Sequence, residues 1–239
     1  MSMILYELGG LEGKRYSQFA WRTRLALAHM GLDPKTRLVR VSDKAAIEFS
    51  QQLKVPILVV GETVISDSWQ IGVYLAATYR DRPSIFGCEA GQGLARFVNS
   101  WVDRQLIPQL VPLLMIDVME CVDEEDARHL RPQIEQSFRG TLEKLAENRD
   151  AEIAGFRRLL DPARTTLRTQ PFLSGAAPAY ADYILFSVFQ WARIVSEFEL
   201  LENRDIVAAW RERMLDLFGG LARREPARAS IIAEKGAGA

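Results

Sequence analysis

The segment LKVPILVVGETVISDS, residues 53–68, decides the fold of the first part of the chain. Its apolar run ILVV is typical of a buried strand, Gly61-Glu62 of a tight turn, and TVI of a short returning strand. The pattern predicts a β-hairpin that is entered through Val55-Pro56. Directly after it, Ser66-Asp67-Ser68 supplies polar residues with which helices begin, and apolar residues follow at helical spacing as far as Tyr79.

The residues before the hairpin predict two strands around a helix. MILYEL (3–8) is typical of a buried strand that glycines then end. From Ser17 onward, apolar residues recur at helical spacing until His29-Met30-Gly31 closes the segment. RLVRV (37–41) predicts a second strand, and the polar segment 42–52 has room for a short helix. This order of elements predicts a small α/β domain with a mixed, four-stranded sheet.

The remainder of the chain is predicted to be a bundle of helices. Residues 81–92 are rich in Pro, Gly and polar residues and indicate a linker. We therefore expect a first domain at 1–80, an all-helical domain at 93–228 and a flexible tail at 229–239.

Five helical stretches are expected in this second domain. The first carries an apolar stripe, and Pro108 and Pro112 should bend or break it. The stripe consists of Leu94, Phe97, Val98 and Trp101. Pro132 suits the first turn of the next helix, which we expect to continue on one face through Leu145. The other three helices are expected at 150–168, 180–195 and 206–217.

Composition restricts the classes of function. The 30 basic and 31 acidic residues nearly cancel and are interspersed, so no nucleic-acid partner is expected. The chain has no basic leader and no apolar run near the roughly 20 residues that span a bilayer, so we expect a cytoplasmic protein without a membrane partner. Its two cysteines, Cys88 and Cys121, and its two histidines are not clustered, which predicts reduced thiols and no metal.

Ser17 is the first candidate site residue because it stands at the mouth of the first helix. Serine is a good N-cap, and capping alone stabilises a helix by about 1 kcal/mol relative to Ala. The same position suits an anion, since a helix N-terminus presents unpaired N–H groups and a partial positive charge. Tyr16 is either a second donor or an aromatic residue that covers the loop.

The hairpin adds two further candidates. If the Val55-Pro56 bond is trans, an edge strand begins there; if it is cis, the Val55 backbone turns outward, where an extended peptide can pair with it. The sequence leaves both isomers open. Asp67 and Ser68 are typical capping residues, yet a hydroxyl with free N–H groups also suits a carboxylate, and Asp suits an ammonium. A γ-glutamyl tripeptide with a thiol would satisfy all three positions.

At this point the chain resembles the glutathione transferases. Residues 3–80 resemble their thioredoxin-like domain, and residues 93 to about 225 resemble their all-helical domain. The specific motifs are Val55-Pro56 before a hairpin, Asp67-Ser68, and FLSG followed by YADY at 180–183. Four further segments resemble the β-etherase-related branch of bacteria and wood-decay fungi: SQFAWRTRLAL, DSWQIGVYL, VFQW and DLFGGLAR.

The resemblance implies roles for individual residues. Ser17 matches the serine that faces the glutathione sulfur, Val55 the residue whose backbone pairs with the cysteinyl group, and Pro56 the cis-proline. Asp67 and Ser68 match the pair that holds the γ-glutamyl group. The remaining candidates are Gln52 and Lys54 for the glycyl end, with Trp101 and Trp191 for a pocket that holds an apolar substrate.

Two positions depart from the family pattern. Gln18 stands where the branch usually has proline, which loosens the entry to the helix. Ala179 stands three residues before Asp182, where the family usually has Ser, Thr or Asn. One half of a capping box is therefore missing, at a cost of about 1 kcal/mol, and we interpret Asp182 as structural.

These expectations describe a glutathione transferase with glutathione as co-substrate. Ser17 would stabilise the thiolate, which attacks an apolar or aromatic electrophile, and the branch resemblance implies β-aryl ethers among the substrates. The family resemblance also implies a homodimer. One alternative is a non-catalytic carrier that holds hydrophobic ligands. Another is a glutathione-dependent reductase or isomerase, which ordinarily has a cysteine or a different loop chemistry at this position.

Overall fold

The computed structural model of the chain describes residues 2–229, and its first part is built on a four-stranded mixed sheet in the order β2-β1-β3-β4. The strands are β1 (Met3–Leu8), β2 (Lys35–Val39), β3 (Ile57–Val60) and β4 (Thr63–Ser66). β2 runs parallel to β1, whereas β3 is antiparallel to both β1 and β4. The predicted hairpin and mixed sheet are confirmed. The strand predicted at 37–41 lies two residues earlier.

Two helices pack on this sheet, and both begin where the sequence predicts. α1 (Gln18–His29) buries Trp21 and Leu25, and α2 (Ser68–Thr78) buries Ile71 and Leu75. Short 3-10 turns at Leu11–Gly13 and Ala45–Ser50 complete the α/β part. The apolar faces of both helices belong to one core with the sheet residues Leu5 and Leu58.

The second part is all-helical, so the thioredoxin-like plus helical fold is confirmed. Its helices are α3 (Glu89–Trp101), α4 (Ile107–Met119), α5 (Glu124–Phe138), α6 (Leu142–Glu147), α7 (Arg149–Leu159), α8 (Asp161–Leu167), α9 (Tyr180–Val195) and α10 (Ile206–Gly220). α3 starts inside the segment 81–92 that was predicted to be a linker. The domain limits as a whole remain predictions.

Pro108 and Pro112 do not break the chain into separate helices. A π-helical segment, Val102–Leu106, joins α3 to α4, so that Pro108 falls in the first turn of α4. Pro108 therefore lies in a continuous helical run, directly after the π-helical turn in which the Ile107 N–H donates to the Val102 carbonyl five residues back. Pro112 lies inside α4.

Two other helix predictions are wrong in their limits. Pro132 lies inside α5 and not in a first turn; α5 ends after Phe138 at Arg139, which is left-handed with φ 55°. Thr141 then caps the separate helix α6. The helix predicted at 150–168 is divided in two at Leu160, where Pro162 sits in the first turn of α8.

The predicted stripe on the first helix of the second part does not face the core as a whole. Leu94 and Phe97 are 70% and 71% exposed, whereas Val98 and Trp101 pack against the core. Helical spacing predicts that these side chains share a face, but it does not predict what covers that face.

A buried arginine of α1 helps to join the two parts of the molecule. Arg22 of α1 is fully buried, and its guanidinium donates to Ser187 Oγ, Asn99 Oδ1 and Asp103 Oδ1 at 3.2, 3.1 and 2.7 Å. Buried charge is costly unless it is paired and hydrogen-bonded, so this network fixes α1 against the helical part.

The start of α9 is held by a buried carboxylate. Asp182 accepts from the N–H groups of Leu173, Ser174 and Ala179 and from Trp210 Nε1. Its structural interpretation is supported, and Ala179 supplies no side-chain acceptor, so half of the capping box is absent as predicted. Of the tail predicted at 229–239, all but residue 229 lies outside the described residues.

Candidate functional site

The topology of the sheet brings the candidate residues to one end of it. Ile57 pairs with Tyr6 on β1 and with Ser66 on β4. The segment before β3, the segment after β4 and the loop after β1 therefore share one end of the sheet. This end carries Ser17, Val55-Pro56 and Asp67-Ser68.

Ser17 is the N-cap of α1, and its backbone is extended with φ −76° and ψ 116°. Its Oγ accepts from the Ala20 N–H at 3.3 Å. Within residues 2–229 the hydroxyl hydrogen has no acceptor, and the N–H groups of Ser17, Gln18 and Phe19 have no partner. Ser17 is 4% exposed, whereas Gln18 and Phe19 are partly exposed, and this set of donors suits an anion. Gln18 in place of proline does not prevent the cap.

Tyr16 lies beneath the loop and not on its open side. It is 5% exposed, and its hydroxyl is buried without a hydrogen-bond partner among the described residues. Burial raises the pKa of Tyr16, and the nearby charge of Asp126 adds to the shift. A Cβ on Gly10 would lie 3.2 Å from the tyrosine ring and 2.3 Å from the Cys121 carbonyl oxygen, so the loop packs closely here. These contacts fit the interpretation of Tyr16 as an aromatic cover.

Contacts of Arg15 hold the loop before Ser17 in place. The sequence did not point to this residue. The Arg15 N–H donates to Glu225 Oε1 at 2.9 Å, and the Arg15 carbonyl accepts from Trp21 Nε1 at 2.6 Å. The Arg15 guanidinium also lies 3.2 Å from Glu7, which is fully buried in β1. Burial raises the pKa of Glu7, although Arg24 and Arg15 oppose that shift. The only signal in the sequence is a glutamate within an apolar strand.

The Val55-Pro56 bond is cis, which decides the alternative that the sequence left open. Among the described hydrogen bonds outside regular helices and strands, none involves the Val55 N–H or C=O. Gln52 and Lys54 are exposed in the preceding loop, and the Gln52 N–H donates to Ser50 Oγ at 3.2 Å.

Asp67 and Ser68 form the N-terminus of α2. Asp67 has φ 75°, and its Oδ1 accepts from the N–H groups of Trp69 and Gln70 at 3.0 and 3.1 Å. The second carboxylate oxygen accepts from no described residue, and Asp67 is exposed. Ser68 is buried; its carbonyl accepts from the Tyr180 hydroxyl, while its own hydroxyl has no partner within residues 2–229.

The two tryptophans named for a substrate pocket differ in burial. Trp191 is 3% exposed and belongs to the core of the helical part, so its side chain is not available at the surface. Trp101 is partly buried at the end of α3, just before the π-helical segment. Their role in a pocket remains a prediction.

The two cysteines differ in burial. Cys88 and Cys121 are free thiols, the first exposed and the second buried, and burial raises the pKa of Cys121. Across residues 2–229, no three His, Cys, Asp or Glu side chains come together as potential metal ligands. No helix in this part of the chain is long and apolar enough to cross a bilayer.

Comparison with protein families gives the class. The model of the glutathione S-transferase C-terminal domain matches residues 93–222, and that of the N-terminal domain matches residues 16–78. The first of these covers more than half of the chain. The protein belongs to the glutathione S-transferase family.

Solved structures share the fold at low sequence identity. Glutathione transferase GSTFuA3 of Phanerochaete chrysosporium is 22% identical over 92% of both chains, with a TM-score of 0.75. A glutathione S-transferase of Ceriporiopsis subvermispora, solved in complex with glutathione, is 20% identical over 94% of this chain and 95% of its own, with a TM-score of 0.76. A glutathione S-transferase of Rhodospirillum rubrum is 19% identical over 91% of this chain and 90% of its own, with a TM-score of 0.66.

Proposed function

We propose that this protein is a cytoplasmic glutathione transferase in which Ser17 stabilises the glutathione thiolate. The observation that carries the proposal is the N-terminus of α1, where the Ser17 hydroxyl and three N–H groups have no acceptor among the described residues. Donors of this kind stabilise an anion, and the effect is large where water is excluded.

Glutathione binding follows from the neighbouring segments. The free backbone groups of Val55 suit the cysteinyl amide, as in an added strand. The unpaired Asp67 Oδ2 suits the γ-glutamyl ammonium, and the Ser68 hydroxyl suits its carboxylate. Lys54 and Gln52, both exposed beside Val55, are the candidates for the glycyl carboxylate.

The chemistry is a nucleophilic substitution at carbon. A free thiol of this type has a pKa of about 8.5, so most of it is protonated at neutral pH. Donation from Ser17 Oγ lowers that pKa, and the thiolate sulfur then forms a bond to the electrophilic carbon while the leaving group departs with its electron pair. A mixed disulfide is not involved, since position 17 is a serine and the nearby Tyr16 and Gln18 carry no thiol.

The substrate class we propose is an apolar or aromatic electrophile, with β-aryl ethers as the first candidates. Its support is the resemblance of segments 17–27, 67–75, 188–191 and 216–223 to the etherase-related branch. A phenolate is then the leaving group, and the helical part, including Trp101, supplies the apolar surroundings.

We also propose that the partner is a second copy of this chain. Among the described residues, Leu94 and Phe97 on α3 are 70% and 71% exposed, and Phe49 and Leu53 before β3 are 49% and 72% exposed. Exposed apolar groups of this kind are typical of interaction surfaces. Sedimentation velocity should give a dimer for the wild type and a monomer for Phe97→Glu, while Leu38→Glu, at a residue 41% exposed on β2, should leave the dimer intact. A monomeric wild type would contradict this assignment.

Turnover measurements test the enzymatic proposal against the carrier alternative. Wild type, Ser17→Ala and Ser17→Thr are assayed with glutathione and a panel of aryl halides and β-aryl ethers, and ligand binding is followed in parallel. We expect turnover by wild type, a loss of about 10²-fold in Ser17→Ala, and partial retention in Ser17→Thr, which keeps the hydroxyl. Binding of hydrophobic ligands without turnover on any electrophile would favour the carrier.

A further inference from the structure

A cavity in the helical part is lined by arginines that the proposed glutathione site does not use. It measures about 590 Å³ and lies between α7, α8 and the segment that leads into α10. Its arginines are Arg157, Arg158, Arg164, Arg168 and Arg204. The lining also contains three carboxylates, Asp161, Glu202 and Asp205. Five arginines against three carboxylates leave two net positive charges in one concave site.

The carboxylates are already engaged by two of the arginines. Arg164 donates to both oxygens of Asp205 and to Asp161 Oδ1 at 2.7 Å. Although burial opposes the shift, the hydrogen bonds from Arg164 hold the pKa of Asp205 below its usual value. Arg157 is fixed by the Leu200 carbonyl at 3.0 Å and lies 3.5 Å from Glu202. These pairs build the wall of the cavity.

The other three arginines have nothing to pair with. The side chains of Arg158, Arg168 and Arg204 make no hydrogen bond and no ion pair with any residue in the described range 2–229. They come from three different segments, α7, the residue after α8 and the turn before α10, yet line the same cavity. Three solvent-exposed guanidinium groups that line one cavity, and that are not paired with any of its three carboxylates, favour binding of an external anion.

We propose that this cavity binds a small molecule that carries a phosphate ester or a diphosphate. The guanidinium group of arginine is planar, and its paired donors match the oxygens of a phosphate group. Three guanidinium groups offer more donors than the two oxygens of a carboxylate ligand can accept. The volume lies within the roughly 300–1,000 Å³ of small-molecule sites, so there is room for an organic part, and Ala154 and Ile206 provide apolar wall. A nucleic acid fits less well, because the chain has a net charge of −1 and the arginines line one concavity instead of an extended stripe.

Calorimetric titration with inorganic pyrophosphate at near-physiological salt tests the proposal. The variants are Arg158→Ala, Arg168→Ala and Arg204→Asn. Arg139→Asn is the matched control, because Arg139 and Arg204 are both exposed, both have positive φ, at 55° and 69°, and both have side chains without a partner among the described residues. Asparagine tolerates this backbone conformation, so either change removes the charged side chain without straining the backbone.

We expect saturable one-to-one binding to the full chain that weakens about tenfold in each cavity variant and stays unchanged in Arg139→Asn. Glutathione turnover should stay at the wild-type level in all four variants, because none of these residues lies in the proposed glutathione site. Absence of saturable binding by wild type would overturn the proposal. An equal loss in Arg139→Asn would also overturn it, since the effect would then follow net charge and not the cavity.

Discussion

The N-termini of α1 and α2 lie at the same end of the sheet but differ in how their backbone N–H groups are hydrogen-bonded. At α2, Asp67 accepts from two N–H groups, and its own N–H donates to the Pro56 carbonyl at 3.2 Å. At α1, the Ser17 Oγ accepts from one N–H group, and three others have no described partner. One helix end is nearly satisfied by its own carboxylate, and the other keeps its donors available.

Because of this difference, the two helix N-termini suit ligand groups of opposite charge. The end of α1 carries donors and no negative charge, so it favours an anion such as a thiolate. The end of α2 carries an exposed carboxylate with one unpaired oxygen, so it favours an ammonium group. A γ-glutamyl thiol presents both groups, and Ser17 and Asp67 lie at the same end of the sheet.

The largest effect is expected when the end of α1 is made like that of α2. Ser17→Asp keeps an N-cap acceptor, and a negative charge is favourable for the helix itself, so the melting temperature should not fall. The change removes the hydroxyl donor and sets a carboxylate against the thiolate, so turnover should fall by about 10²–10³-fold. Steady-state kinetics and thermal melts measure the two quantities.

Thr141→Asp provides the matched control for that change. Thr141 caps α6 through a side-chain oxygen that accepts from the Lys144 N–H at 3.3 Å, the same distance as in the Ser17 cap. It should leave turnover unaltered. Wild-type turnover in Ser17→Asp would contradict the role of the α1 terminus.

The charge at the end of α2 can be removed without removing its cap. Asp67→Asn keeps an acceptor and suits the positive φ, so stability should be retained. The affinity for glutathione should fall about tenfold, because the ammonium loses an ionic partner. Calorimetric titration measures the affinity. Asp123→Asn is the control, since Asp123 also accepts from two N–H groups, at α5; if Asp67→Asn binds glutathione as wild type does, Asp67 only caps its helix.

A smaller effect is expected when the contact between Glu225 and the loop before α1 is weakened. Glu225→Gln weakens the contact to the N–H and guanidinium of Arg15, which should lower the free energy of unfolding by about 1 kcal/mol. Because Arg15 is close to Ser17, kcat should fall more than KM rises. Urea denaturation and kinetics measure these changes. Glu212→Gln, which removes an exposed partner of Arg223, should change neither.

The smallest effect concerns the opposite end of α1. Burial lowers the pKa of His29, whose Nδ1 lies 2.6 Å from the Tyr183 hydroxyl. The unfolded chain therefore takes up this proton at higher pH than the folded chain, so stability should decline as the pH falls through about 6.5. Denaturation at several pH values should show a weaker decline in His29→Gln than in the exposed-site control His129→Gln. Equal slopes would contradict the prediction.

Local signals predicted the sheet and the starts of α1 and α2 well. The ILVV-turn-TVI pattern, Ser17 as N-cap, and the Asp67-Ser68 start of α2 depend on residues close together in sequence, and the structure has each of them. The candidates Ser17 and Asp67-Ser68 come from the same kind of signal, because capping residues are visible in the sequence; their role at a site remains a prediction.

Long-range and tertiary effects were not predictable in the same way. The Arg15–Glu225 contact joins residues 210 positions apart, and neither has a local pattern. Pro132 matched a first turn by its type, but its position inside α5 is set by the stronger Asp123 cap further upstream. The exposure of Leu94 and Phe97 depends on what surrounds α3, which spacing does not record.

The most direct test of the account follows the thiolate ultraviolet band of bound glutathione against pH in wild type, Ser17→Ala and Thr141→Ala. Both alanine variants lose one N-cap hydroxyl and about 1 kcal/mol of helix stability, but only one lies at the proposed site. We predict a thiol pKa below that of free glutathione in wild type and Thr141→Ala, and a higher value in Ser17→Ala. The same thiol pKa in all three proteins would contradict it.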